Sequence, residues 1–129
     1  MKRSLQLNPH NRPATWDQIK YWRDTHEQAP VTTTLGTFDA DSISRIRLSG
    51  ALSEFDTLPT LDSQQRLTWK LADNTLKPLT KGQLQQVWTE VQKNQTDRGA
   101  RLFVKAQAFA GMATPPTYNQ LSDINFWLQ

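Results

Sequence analysis

The most regular pattern of apolar and polar residues lies in the middle of the chain. Leu67, Trp69 and Leu71 alternate with polar residues, which is the period of two expected of a strand that buries one face. A short stretch with an Asp and an Asn follows, which favours a tight turn. Pro78 then places the returning strand at a sheet edge or makes it short, because proline has no N–H group to donate. The pattern predicts a β-hairpin at about residues 66–79, with Trp69 in the core.

A long helix is predicted directly after this hairpin. Thr80 and Gln83 have the spacing of a capping box, in which a hydroxyl and an amide satisfy free N–H groups at a helix start. Apolar residues then recur at steps of three and four as far as Gly111. Gly99 is the expected place of a break, because Gly costs about 1 kcal/mol relative to Ala inside a helix. The pattern leaves open whether the helix over residues 80–112 is continuous.

The region before the hairpin is predicted to contain a helix and then a β segment. Thr15 has the position of an N-cap for an amphipathic helix that ends before Pro30. The aromatic stripe of this helix either docks on the domain core or forms a contact surface for another chain. Residues 31–35 are rich in β-branched side chains and Gly36 follows them, which predicts one strand with a bulge or two short strands.

Asp39 and Asp41 are predicted to cap the next helix, because carboxylates there accept hydrogen bonds from free N–H groups and face the positive end of the helix dipole. With Ser44 they also suggest a calcium loop. An EF-hand loop needs Gly at its sixth position and Glu at its twelfth, where this chain has Ser44 and Gly50. We therefore predict capping and no metal site. A further pattern from Thr117 predicts a short last helix.

Residues 1–13 are predicted to be an extended N-terminal arm, outside a single α+β domain that spans residues 14–129. The predicted fold class is α+β, with a small antiparallel sheet packed by amphipathic helices. The arm contains two prolines and has only Leu5 and Leu7 to bury, so it cannot form a core of its own. It either packs on its own domain or lies along a partner. Because the leucines alternate, we expect the arm to insert them into a partner or to add a strand to a neighbouring sheet.

Composition narrows the classes of function. The chain has 129 residues, five Trp, five Phe and no Cys, which provides large apolar surfaces and excludes disulfides and thiolate metal sites. The net charge of +3 comes from cations dispersed among acids, whereas nucleic-acid readers concentrate them on one face, so we expect no nucleic-acid partner. No segment approaches the roughly 20 apolar residues that span a bilayer, so we expect synthesis in a cytoplasm and no membrane partner.

The chain offers little material for catalysis. It has two histidines and no G-x-S-x-G, Walker or H-E-x-x-H motif. We predict no enzyme activity, no cofactor and no catalytic residue. The surplus of aromatic and leucine side chains instead favours a protein that binds other proteins. The residues predicted to contact a partner are Leu5, Leu7, Trp16, Trp22, Phe103 and Phe109.

Two stretches of the sequence carry a family resemblance. The first, G-x-F-D-x-D-x-x-S, runs from Gly36 to Ser44, with a further glycine at Gly50; the second, W-x-x-A-D-N, runs from Trp69 to Asn74. With their surroundings, over roughly residues 16–127, they resemble a domain of unknown function that recurs in tail-fibre and tail-assembly proteins of tailed bacteriophages and prophages. The resemblance implies a setting in a phage tail and carries no known catalytic residues.

In that setting, the surplus of apolar side chains leads us to predict a non-enzymatic structural component of the virion tail, synthesised in the host cytoplasm. It would bind and attach a tail-fibre or baseplate subunit. Its partner would be that fibre or baseplate protein, or further copies of itself in a homo-oligomer within the tail. One alternative is a tail-fibre assembly chaperone that dissociates after assembly. A second alternative is a nucleic-acid-binding regulatory protein.

Overall fold

The structure is a computed structural model that describes residues 11–129. Within that part of the chain, five α-helices accompany two antiparallel sheets of two strands each, which confirms the predicted α+β class. A short 3₁₀ turn, Phe55–Thr57, follows the second helix. The elements in chain order are α1 (Trp16–Glu27), β1 (Val31–Thr33), β2 (Gly36–Phe38), α2 (Ser42–Ser53), β3 (Arg66–Lys70), β4 (Leu76–Thr80), α3 (Lys81–Ala110), α4 (Tyr118–Leu121) and α5 (Ile124–Trp127).

The chain divides into two compact units. The central unit is Gln28–Asp97, with both sheets, α2 and the first part of α3. The terminal unit consists of residues 11–27 and Arg98–Gln129, with α1, the last part of α3, α4 and α5. Two compact units can belong to one domain or to two. The single domain predicted over residues 14–129 therefore stays a prediction.

The central unit contains the predicted hairpin, formed by β3 and β4. Its strands are antiparallel, with Leu67 opposite Leu79 and Thr68 opposite Pro78. Both strands of a two-stranded sheet are edges, which is why Pro78 is tolerated there. In the turn, Asn74 has a φ of 71°, a left-handed angle that Asn adopts more readily than most residues.

A second hairpin is formed by β1 and β2, so the stretch around Gly36 folds as two short strands and not as one strand with a bulge. Val31 pairs with Phe38, and Thr33 pairs with Gly36. Gly36 has a φ of +127°, and a Cβ at this position would lie 2.6 Å from Cδ2 of Leu71. The backbone of a larger residue would therefore be strained here, and its side chain would clash with Leu71.

A mainly aliphatic cluster fills the central unit. Trp69 packs against this cluster but is only half-buried. Its prediction as a core residue is therefore corrected, because its ring covers the edge of the cluster and is not enclosed by it. The buried members of the cluster are Val31, Phe38, Ala40, Leu48, Phe55, Leu71, Leu79, Leu84, Val87 and Val91.

A cluster rich in aromatic residues fills the terminal unit. Trp22 of α1 is partly buried against it, so the stripe of this helix docks on the core of its own unit at this position. The buried members of the cluster are Ala14, Ile19, Leu102, Ala106, Phe109, Leu121 and Trp127.

The last residue of the predicted arm, Pro13, forms an isolated antiparallel bridge with Thr117. The N–H of Ala14 donates a hydrogen bond of 2.8 Å to the carbonyl oxygen of Pro116. Residues 1–10, with Leu5 and Leu7, lie outside the described residues, so the contacts predicted for the arm stay a prediction.

Three helices start with the same T-x-x-Q box. In each box the threonine hydroxyl accepts a hydrogen bond from the glutamine N–H, and the glutamine side-chain oxygen accepts one of 2.9 Å from the threonine N–H. Each box satisfies two N–H groups near the helix start that would otherwise lack a partner. The pairs are Thr15–Gln18 before α1, Thr80–Gln83 before α3 and Thr117–Gln120 before α4.

Helix α3 is continuous from Lys81 to Ala110, so the break expected at Gly99 is absent. A Cβ at Gly99 would lie 2.8 Å from Oε2 of Glu27 in α1. The missing side chain leaves room for the carboxylate of Glu27 beside α3, which explains why a residue that weakens an isolated helix stands inside this one.

Candidate protein-binding surface

Four of the residues predicted to contact a partner lie in the described part of the chain, all in the terminal unit. Trp16 and Phe103 are exposed, at 40% and 56% of their surface. Trp22 is half-buried. Phe109 is buried, and its ring stacks on Phe126 with the ring centres 5.4 Å apart. Phe109 therefore belongs to the core, and its assignment to the partner surface is corrected.

Helix α1 presents two exposed aromatic rings, Trp16 and Tyr21. The ammonium group of Lys20 lies 5.6 Å from the centre of the Trp16 ring and 3.4 Å from the carboxylate of Asp17. A cation near an aromatic face is attracted to the ring electrons. Lys20 therefore lies against the exposed Trp16 ring.

Helix α3 presents Phe103 and Val104 side by side in the chain, and both are exposed. Arg23 of α1 reaches Phe103, with its guanidinium carbon 4.7 Å from the ring centre. The Nε of Arg23 also donates a 3.0 Å hydrogen bond to Asp24. The Phe103 ring is thus held in place without being buried, and a side chain already held in place loses less conformational entropy when a partner covers it.

A groove of about 330 Å³ lies beside Val104 in the terminal unit. Its lining is mainly apolar, and Arg101 and Lys105 are its two cations. Arg101 also donates a 3.3 Å hydrogen bond to the carbonyl oxygen of Leu128. The groove has room for an apolar side chain of a partner. Its full lining is Ala100, Arg101, Val104, Lys105, Trp127 and Gln129.

One backbone carbonyl, that of Leu121, joins α1, α4 and α5 in the interior of this unit. It accepts hydrogen bonds from Nε2 of His26 at 2.7 Å and from Nε1 of Trp127 at 2.8 Å. Because a carbonyl only accepts, the proton of the neutral imidazole lies on Nε2. Burial lowers the pKa of His26, although the bond to Leu121 and the carboxylate of Asp123 oppose this effect. His26 therefore serves as a structural group.

Helix α2 of the central unit exposes Ile43 and Ile46, at 61% and 71%. Ile46 borders a groove of about 620 Å³, with Trp88 of α3 also in its lining. The sequence predicted α2 as a helix, but its exposed isoleucines were not predicted to contact a partner.

The acidic residues considered for metal binding have other contacts. Asp41 caps α2 by accepting a 2.7 Å hydrogen bond from the N–H of Ser44, and hydrogen bonds from the hydroxyl and N–H of Ser44 lower the pKa of Asp41. In residues 11–129, no group of three or more His, Cys, Asp or Glu side chains is placed to hold a metal ion. No helix in that range has the length and apolar character needed to cross a membrane.

Val104 was not among the residues predicted to contact a partner, although the sequence pattern of α3 indicates that it is exposed. Leu102, Ala106 and Phe109 are the buried positions of α3 in this unit, and they recur at steps of four and three. Phe103 and Val104 lie off that stripe. An apolar pair outside the buried stripe of a helix indicates a surface available to a partner.

Comparison with known proteins gives one match. A family model for a domain of unknown function, DUF4376, matches residues 10–123. No curated protein and no solved structure matches the chain. Because the matched residues make up most of its length, the protein belongs to the DUF4376 family, whose domain is described as one of unknown function.

Proposed function

We propose that the protein is a non-enzymatic component of a bacteriophage tail that binds a tail-fibre or baseplate subunit through the terminal unit. The observation that carries the binding role is the set of large apolar side chains that are exposed at the surface: Trp16, Tyr21, Phe103 and Val104. The phage setting rests on the sequence resemblance described above. Aromatic and arginine side chains are the residues that most often dominate the free energy of protein–protein binding.

The arrangement of cations supports a protein partner over a nucleic acid. Arg23 lies against Phe103 and Asp24, and Lys20 lies against Trp16 and Asp17. These cations are already close to rings and carboxylates of the same helix pair, whereas a reader of phosphates presents its cations to the ligand. The surface they surround is apolar, which suits an interface that excludes water.

The direct test measures binding of purified variants to a candidate tail-fibre or baseplate subunit. Phe103→Ala and Val104→Ala remove exposed side chains, so their melting temperatures should stay close to the parent value. The Phe103 variant should bind at least about tenfold more weakly if Phe103 is a hot spot. Asn94→Ala, at an exposed position of α3 in the central unit, is the matched control and should bind like the parent. Unchanged binding by both the Phe103 and the Val104 variant would show that the interface lies on another surface of the protein.

Salt dependence and virion composition separate the alternatives. Binding through an apolar surface should change little between about 50 and 200 mM salt, whereas contacts to several phosphates lose affinity by orders of magnitude over that range. Steeply salt-dependent DNA binding without affinity for the tail subunit would overturn the proposal. Mass spectrometry of purified virions distinguishes a tail component, which remains in the particle, from an assembly chaperone, which does not.

A further inference from the structure

A small pocket of about 240 Å³ lies in the central unit, where the start of α2 and strand β3 both contribute to its lining. The two stretches of sequence that carry the family resemblance meet here. The first provides Asp39 and Ser44, and the second provides Trp69. The remaining lining residues are Arg47 and Lys70.

Asp39 does not have the capping role that the sequence predicted for it. The cap of α2 is Asp41, whose carboxylate accepts from Ser44. The carboxylate of Asp39 instead lies 3.5 Å from Nζ of Lys70, and Nζ also donates a 3.1 Å hydrogen bond to Asn74. This ion pair is long and part-exposed, so it uses little of the capacity of Asp39 to accept hydrogen bonds.

Arg47 is the second cation of the pocket. Within residues 11–129 its guanidinium group has neither a side-chain hydrogen bond nor an ion pair within 4.0 Å, and its side chain is exposed. A guanidinium group presents a planar set of donors that fits a carboxylate or a phosphate at two points. Arg47 can therefore bind an oxyanion without giving up such a contact in its own chain.

Trp69 gives the pocket an apolar wall. Part of its ring packs against the aliphatic cluster, and the rest borders the pocket. The volume is below the range of about 300–1,000 Å³ typical of sites for drug-sized ligands. A ligand must therefore be small, with a flat apolar face for Trp69, an oxyanion for Arg47 and a hydroxyl donor for Asp39.

We propose that this pocket binds a monosaccharide that carries a carboxylate or a phosphate group. A sugar ring has a face of C–H groups that can lie on the indole of Trp69. Its hydroxyl groups donate to the carboxylate of Asp39, and its acidic group accepts from Arg47 and Lys70. This site is in the central unit and is independent of the tail-binding role proposed for the terminal unit.

The test is a titration of the isotope-labelled protein followed by NMR, with glucuronate and glucose 6-phosphate as the two acidic sugars. Glucose and inorganic phosphate are the matched comparisons. We expect at least one acidic sugar to shift the indole N–H signal of Trp69 in a saturable way, and to bind more tightly than glucose or phosphate. The stronger of the two acidic sugars identifies whether the site takes a carboxylate or a phosphate.

Variants show whether the pocket is responsible. Arg47→Gln should weaken binding of the acidic sugar about tenfold, because it removes one hydrogen-bonded contact between charged groups. Lys93→Gln, an exposed cation of the same unit outside the pocket, should bind like the parent. Absence of saturable binding by both acidic sugars would overturn the proposal. Equal binding of glucose, equal binding of phosphate, or an unchanged affinity of Arg47→Gln would overturn it as well.

Discussion

The two units of this chain fill their interiors with different chemistry. The central unit buries mainly aliphatic side chains around Phe38 and Phe55. In the terminal unit, aromatic rings contact one another: the imidazole of His26 stacks on Trp22, and Trp127 meets both His26 and Phe109 edge-on. An aliphatic interior has no group that titrates. The stability of an aromatic interior that contains an imidazole, in contrast, depends on hydrogen bonds and on pH.

A truncation in each unit should show the largest difference between them. Trp127 is fully buried, so Trp127→Ala should destabilise the protein by about 3–5 kcal/mol. Trp69→Ala in the central unit should cost less, because its ring is only half-buried. Chemical denaturation measures both free energies of unfolding. A Trp69 variant as unstable as the Trp127 variant would show that the edge of the aliphatic cluster is as important as the aromatic interior.

Acid should weaken the terminal unit before the central one. The pKa of His26 is lowered below 6.5 in the folded protein, so below about pH 6.5 the unfolded chain binds the extra proton more readily and stability falls. The pKa of Asp41 is lowered from 3.8; its stabilisation is therefore kept above that pH and lost only as the pH falls further. Hydrogen exchange between about pH 7 and pH 5 should show α1 and α4 losing protection first.

A variant without the imidazole controls this experiment. His26→Phe keeps a ring in the stack but cannot titrate, so the protection of its terminal unit should depend less on pH than that of the parent. Equal pH dependence in parent and variant would assign the effect to groups other than His26.

Two glycines inside helices should respond differently to alanine. A Cβ at Gly50 of α2 would meet no atom within 4 Å, so Gly50→Ala should stabilise the protein by about 0.5–1 kcal/mol. Gly99→Ala gains the same helix propensity, but its Cβ must displace the carboxylate of Glu27 from a distance of 2.8 Å. We therefore expect Gly99→Ala to stabilise the protein less than Gly50→Ala does. Equal stabilisation would mean that Glu27 moves away freely.

The smallest effect is expected from a surface ion pair of the central unit. Nζ of Lys81 lies 2.8 Å from the carboxylate of Asp56, and both side chains are more than half exposed. Exposed pairs contribute about 0–1 kcal/mol, so Asp56→Asn should shift the unfolding midpoint least of all these variants. A larger shift would show that Asp56 also stabilises the 3₁₀ turn in which it stands.

Local sequence signals predicted the elements of this fold well. The alternation around Trp69 gave the hairpin of β3 and β4, because a period of two and an Asp-Asn turn act within a few residues. Threonine and glutamine three residues apart gave the start of α3 for the same reason. The fold class followed from these elements.

Properties set by distant contacts could not be predicted in this way. Gly99 weakens a helix when it is considered alone, and only the approach of Glu27 explains its place in α3. Ile43 and Ile46 share a face of α2 by their spacing of three, yet both are exposed. Which apolar side chains a helix buries depends on where its neighbours lie, and the candidate surface depends on the same information.

The three T-x-x-Q boxes have a consequence for the order of folding. Each box joins residues only three positions apart, so closing it costs little chain entropy and requires no distant contact. Helices α1, α3 and α4 can therefore begin at fixed residues while the chain is still largely unfolded. In contrast, the bond from His26 to Leu121 spans 95 positions, and we expect such long closures to set the folding rate.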